Sequence, residues 1–148
     1  MDKIAQSANQ SRSVRGSAFE ERIEGLLIRM KKNSKIREFT RKPIIFDGEF
    51  RPDFVVEKNN GNIISIDSTT TARTDRLRAK QWDAHGTKLY FSRVKKKKVG
   101  AVVVVDEINT SQREKDNFRL CKARCRLPYS ALDDTVSVNE LVKLLLNN

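Results

Sequence analysis

Residues 100–106 read Gly-Ala-Val-Val-Val-Val-Asp, and nothing else in the chain restricts its fold so tightly. A strand with one wet face alternates apolar and polar side chains. An unbroken β-branched run of this length instead suits a strand covered on both faces, in the interior of a sheet with helices on either side. The helical periodicity needed for such layers is present. Phe19, Ile23, Leu26, Leu27 and Met30 recur at helical spacing and predict a helix over residues 17–32, with Ser17 as its N-cap and Glu20 as capping-box partner. Ser137 and Glu140 form the same pair ahead of Leu141, Leu144 and Leu145, which predicts a final helix.

The segments between supply the rest of the sheet. Residues 36–46 fit a strand that Pro43 makes an edge or broken one, and Asp47 and Gly48 turn the chain onward. Residues 51–58 and 63–71 are strand-like runs on either side of Asn59, Asn60 and Gly61, the composition of an antiparallel hairpin. Residues 73–84 read as a basic helix with Leu77 and Trp82 inward, stopping near Gly86; Trp82 is read as core rather than as a base-stacking platform. A second basic helix is expected over residues 111–126, with Phe118, Cys121 and Cys125 on one stripe, then a short strand over residues 127–132. The two cysteines, spaced i, i+4 with no companion pair, read as small core residues rather than a disulfide or zinc site. The sum is α/β: a mixed central sheet flanked by helices, one domain over residues 16–148, preceded by a basic flexible arm at residues 1–15.

Charge narrows the partner. Thirty Lys and Arg against nineteen Asp and Glu give a net charge of +11, which favours a polyanion and, among polyanions, nucleic acid. Lys95, Lys96, Lys97 and Lys98 form a basic turn that is either a solvated patch or a set of phosphate contacts. No apolar run reaches the ~18 residues of a membrane span, and residues 1–15 lack the apolar core of a secretory signal, so a cytoplasmic location is expected.

The hairpin carries the chemistry. Side chains alternate along a strand, so Ser65, Asp67, Thr69 and Thr71 share one face. A carboxylate held among isoleucines is costly unless a cation meets it, and Asp53, beside Pro52 on the partner strand, is placed to share that cation. A divalent metal would satisfy both acids.

Pro52-Asp53, a turn, and then Asp67-Ser68-Thr69 resembles the motif of the PD-(D/E)XK nucleases. The resemblance implies a restriction-endonuclease-like core, with Mg2+ held by Asp53, Asp67 and the backbone carbonyl of Ser68, and DNA as substrate. Where that family carries lysine this chain has Thr69. The missing ammonium falls either to Lys80, since some members displace the lysine onto the following helix, or to Thr69 itself as a hydroxyl that orients water. The stretch around Glu20 is similar to the family's opening helix, whose glutamate leans into the active site; a capping role for Glu20 is the alternative. Lys80 has its own plainer alternative as a surface or phosphate-contacting lysine. Arg73, Arg76 and Arg78, with Lys95 to Lys98, are the expected nucleic-acid contacts. The segment from Ser68 to Arg76, followed by Lys80 and Trp82, also resembles restriction endonucleases, in particular small catalytic subunits that work beside a larger recognition subunit. A chain this short then requires a homodimer or such a partner. Two other readings stay open at this point: a structure-selective nuclease similar to Holliday-junction resolvases, and a non-catalytic nucleic-acid-binding module. His85, the only histidine, has no partner that would make it catalytic.

Overall fold

The valine run forms the fourth of five strands and lies fully inside the sheet. In the computed structural model, which describes residues 3–70, 74–106, 112, 113, 116 and 131–147 (without the side chains of 3–15, 74, 75 and 78), the elements follow the expected order. They are α1 (Lys3–Lys32), β1 (Glu38–Arg41), β2 (Phe54–Glu57), β3 (Ile63–Thr69), α2 (Thr74–Leu89), a π-helical turn (Tyr90–Val94), β4 (Val99–Val105), β5 (Asp134–Val136) and α3 (Val138–Leu146). The sheet order is β1-β2-β3-β4-β5, with the first three strands antiparallel and β3, β4 and β5 parallel. This is an α/β architecture with a mixed five-stranded sheet flanked by helices.

Alternation along β4 divides the core. Val102 and Val104 join Phe54, Val56, Ile64 and Ile66 beneath α1 and α3, where Phe19, Ile23, Leu27, Leu141 and Leu145 are buried. Ala101, Val103 and Val105 face the other way and pack with Leu77 and Ala84 of α2. Burying each large side chain contributes roughly 1.5–3 kcal/mol, so a polar substitution at Val103 or Ile66, both fully enclosed, would break one layer outright. The β2–β3 turn forms as composition predicts: Gly61 adopts φ 88° and donates to the Lys58 carbonyl at 2.9 Å.

Three expectations are corrected. Ser17 is not an N-cap, because α1 already includes it; helical packing continues through that turn and leaves Glu20 available for other contacts. Among described residues the capping box that does form is Ser137–Glu140, with Glu140 N–H donating to Ser137 Oγ at 3.1 Å. Second, α2 runs through Gly86 to Leu89. Gly86 is there for space: a Cβ at that position would lie 2.1 Å from Phe50 Cγ. Third, Trp82 is 48% exposed rather than core, since the buried stripe of α2 is Leu77, Gln81 and Ala84, and Trp82 falls about 100° from Gln81 around the helix. The short strand expected over residues 127–132 lies outside the described residues apart from Ala131 and Leu132, which are not in a strand; β5 is Asp134–Val136, placed by the Val102↔Asp134 to Val104↔Val136 register.

The edge strand β1 ends before Pro43, as expected. The helix expected over residues 111–126, with Cys121 and Cys125, lies outside the described residues except for helical backbone at Gln112, Arg113 and Asp116. Among the described residues no helix is long and apolar enough to cross a membrane.

Candidate functional site

The register of the hairpin makes the site. β2 and β3 pair Phe54 with Ile66 and Val55 with Ser65. One step past the ladder, the same register sets Asp53 opposite Asp67, and the Asp53 N–H donates to Asp67 Oδ1 at 3.1 Å. Both residues are buried, Asp53 at 7% exposure and Asp67 at 1%. Ser68, on the next position of β3, closes the arrangement by donating from both N–H (2.8 Å) and Oγ (2.9 Å) to Asp53 Oδ2. Ser68 therefore reaches Asp53 through its donors.

Lys80 approaches from above. It sits on α2 beside the buried stripe of Leu77 and Gln81, and its Nζ lies 3.6 Å from Asp67 Oδ1. Gln81 fixes that helix by accepting the Leu132 N–H at 2.7 Å. Thr69 is buried at the end of β3, where its backbone carbonyl accepts the Asp106 N–H at 3.3 Å.

A second basic group enters from the loop between β1 and β2. Lys42 Nζ stands 2.8 Å from Asp53 Oδ1 and 2.7 Å from Glu20 Oε1. Its backbone is left-handed (φ 51°), and its N–H donates to the Asp53 carbonyl at 2.8 Å, so the loop is tied down at the residue that carries the ammonium. Arg41, its neighbour, pairs with Glu24 at 2.7 Å and lies 3.6 Å from Glu20. Glu20 thus joins the site across Lys42, and its capping alternative falls away. Lys42, Arg41 and Glu24 carry no sequence signal of their own, since each is one charged residue among many until the sheet brings them to Asp53.

The two acids are electrostatically unlike. Burial pushes Asp67 up to about 7; the Asp53 and Asp83 charges push the same way, and Lys80 with the Asp53 N–H opposes them. For Asp53, burial also acts to raise the carboxyl, but Lys80, the Lys42 hydrogen bond and the Ser68 N–H outweigh it and hold Asp53 below its ordinary value. Burial works against the Lys42 ammonium, while its hydrogen bond to Asp53 and its close contact with Glu20 raise it overall. A pair of adjacent carboxyls with opposed shifts marks a functional-site candidate on physical grounds.

Not every expected contact is brought here. Lys98 meets the start of β3 through the Ile63 N–H at 2.8 Å, four positions from Asp67, or about 13 Å along the strand. Within that turn Lys97 pairs with Glu57 at 3.2 Å and Lys95 lies over the Tyr90 ring at 5.8 Å. The lysine run therefore occupies the opposite end of β3 from the acids. Arg76 is exposed on the first turns of α2, near Lys80 in sequence; Arg73 and the Arg78 side chain lie outside the described residues. His85 lies against Trp82, with ring centroids 6.2 Å apart and the rings tilted by 38°.

The residues fit a divalent cation, though not as a closed cage. Among the described residues no group of three or more His, Cys, Asp or Glu side chains is gathered as a metal site. What they offer is Asp53 and Asp67 side by side, with the Lys42 ammonium already seated as a cation between Asp53 and Glu20. Mg2+ characteristically takes one or two carboxylates and completes its shell with water and substrate phosphate, so an open pair is a sufficient donor set. Comparison with protein-family models, with curated proteins and with solved structures finds no match.

Proposed function

We propose that the chain is a metal-dependent DNA endonuclease, hydrolysing phosphodiester bonds with Asp53 and Asp67 as metal ligands, in the manner of a restriction endonuclease or its small catalytic subunit. The observation that carries this reading is the pairing of two buried carboxylates by the β2–β3 register directly under the ammonium of Lys80. A divalent cation such as Mg2+, when bound there, supplies Lewis acidity that activates water and neutralises phosphate charge. The protein's own groups do the rest. Ser68 fixes Asp53 by two hydrogen bonds, so one carboxylate is held in a single orientation. Lys80, 25% exposed, can remain beside Asp67 and still face a bound phosphate, where its charge stabilises the transition state; this is the role for which Thr69 has no charge. The +11 net charge draws DNA to the surface, and a homodimer or a larger recognition subunit would supply sequence choice.

Incubation of supercoiled plasmid with Mg2+, alone and in EDTA, tests the reading. Wild-type protein should nick or linearise the plasmid only with the metal, and Asp53→Asn should abolish cutting. Wild-type cutting in EDTA, or an unimpaired Asp53→Asn variant, would overturn it.

A further inference from the structure

The charge count of the cluster is uneven. Four carboxylates (Glu20, Glu24, Asp53 and Asp67) are joined by ion pairs to three cations, Arg41, Lys42 and Lys80. Asp83 adds its field to that of the acids at Asp67. Once Asp67 is ionised, withdrawing Lys42 leaves two negative charges uncompensated among these described residues, the charge of one divalent ion. The withdrawal is sterically open. The Lys42 side chain is 55% exposed, and it borders an open cavity of about 460 Å³ walled by Pro43, Ile44, Asp47, Gly48 and Arg51. Its hold on Glu20 is Coulombic rather than directional, because Glu20 Oε1 is closed to solvent yet receives no properly angled hydrogen bond. Arg41 and Lys80, by contrast, are both less exposed than Lys42.

We infer that Lys42 is a displaceable resident cation: its ammonium is paired with Glu20 and with Asp53, one of the two acids proposed to hold the divalent metal, and must swing toward the Pro43–Arg51 cavity before the metal binds. This rests on the metal-dependent reading above. It makes Lys42 a competitor of the metal in the free protein, and it explains why an acid cluster this enclosed is stable without one. The displaced ammonium would then lie at the cavity rim with Arg51, two cations suited to the phosphate next to the scissile one. Lys42 is a positioning residue in this account, acting through Asp53 and Glu20.

Mn2+ titration of the free protein, followed by the paramagnetic signal of the unbound ion, tests the competition. Lys42→Gln should bind Mn2+ about tenfold more tightly than wild type, within the usual range of coupling between two sites. Lys42→Arg, which keeps the charge, should bind no more tightly than wild type. A 13C-labelled lysine spectrum gives an independent reading, as the Lys42 ε-carbon signal should shift on adding Mg2+. Equal or weaker Mn2+ binding by Lys42→Gln overturns the inference, and if Asp53→Asn still abolishes binding the metal site itself survives. Absence of Mn2+ binding in wild type and Lys42→Gln alike overturns both.

Discussion

Replacing Asp67 by asparagine should stabilise the fold above neutral pH while destroying the proposed activity. Asp67 is 1% exposed and its carboxyl is raised from 3.8 to about 7. Between those values the folded protein keeps a proton that the unfolded chain has released, so stability falls as pH rises from about 4 to 7 and levels off above that. A raised carboxyl thus has the opposite sign to the usual ion-paired one. At roughly 1.4 kcal/mol per pH unit, ionising Asp67 costs on the order of 4 kcal/mol by pH 8. Asparagine carries no charge and can still accept the Asp53 N–H through Oδ1. Its amide nitrogen replaces a buried carboxyl oxygen, and an unmatched donor there costs about 1–3 kcal/mol. The balance is a variant more stable than wild type by about 1–3 kcal/mol at pH 8, and less stable by up to about 2 kcal/mol at pH 4.5. Urea unfolding followed by circular dichroism from pH 4.5 to 8.5, in EDTA, measures the difference directly. A difference that stays constant across that range would refute the reasoning, because it would mean Asp67 does not titrate between the two limits. Plasmid cleavage by the same variant should be lost, which is the trade between stability and function expected where a site stores an uncompensated charge.

Other consequences follow from single contacts. Lys80→Ala should slow single-turnover cleavage roughly 10²-fold with little change in metal affinity, as expected for a lost electrostatic stabiliser. Lys80→Arg should recover only part of it, because a guanidinium is larger and differently directed. Thr69→Lys restores an ammonium on Asp67's face and should partly rescue Lys80→Ala; wild-type rates in Lys80→Ala together with failure of Thr69→Ala would move the role to β3. Gly86→Ala should destabilise the domain by about 3 kcal/mol or more in chemical denaturation, since its Cβ would meet the Phe50 ring at 2.1 Å. Phe50→Ala in the same chain should remove most of the additional penalty, and equal stability of Gly86→Ala and wild type would show that the helix can shift instead.

The sequence by itself determined whatever depends on periodicity and local chemistry. The valine run dictated an interior strand, the apolar stripes of Phe19 to Met30 and Leu141 to Leu145 dictated helices on the sheet, and Asn59 to Gly61 dictated the hairpin. Because a hairpin's register fixes which residues oppose each other, the meeting of Asp53 and Asp67 was also legible. Tertiary structure alone decided the rest. Gly86 looks like a helix stop until Phe50 requires the space, and Trp82 looks like core until the Leu77–Gln81–Ala84 stripe turns it outward. Ser17 and Glu20 make a good capping box that goes unused because α1 starts earlier, which frees Glu20 to face Lys42. Lys42 itself was invisible: it is one lysine before a proline, and only the pairing of β1 with β2 and the packing of α1 beneath them bring its ammonium to Asp53. Local patterns encode which face of an element is buried. Which charged residues meet across elements depends on how those faces are stacked, and no spacing along the chain records it.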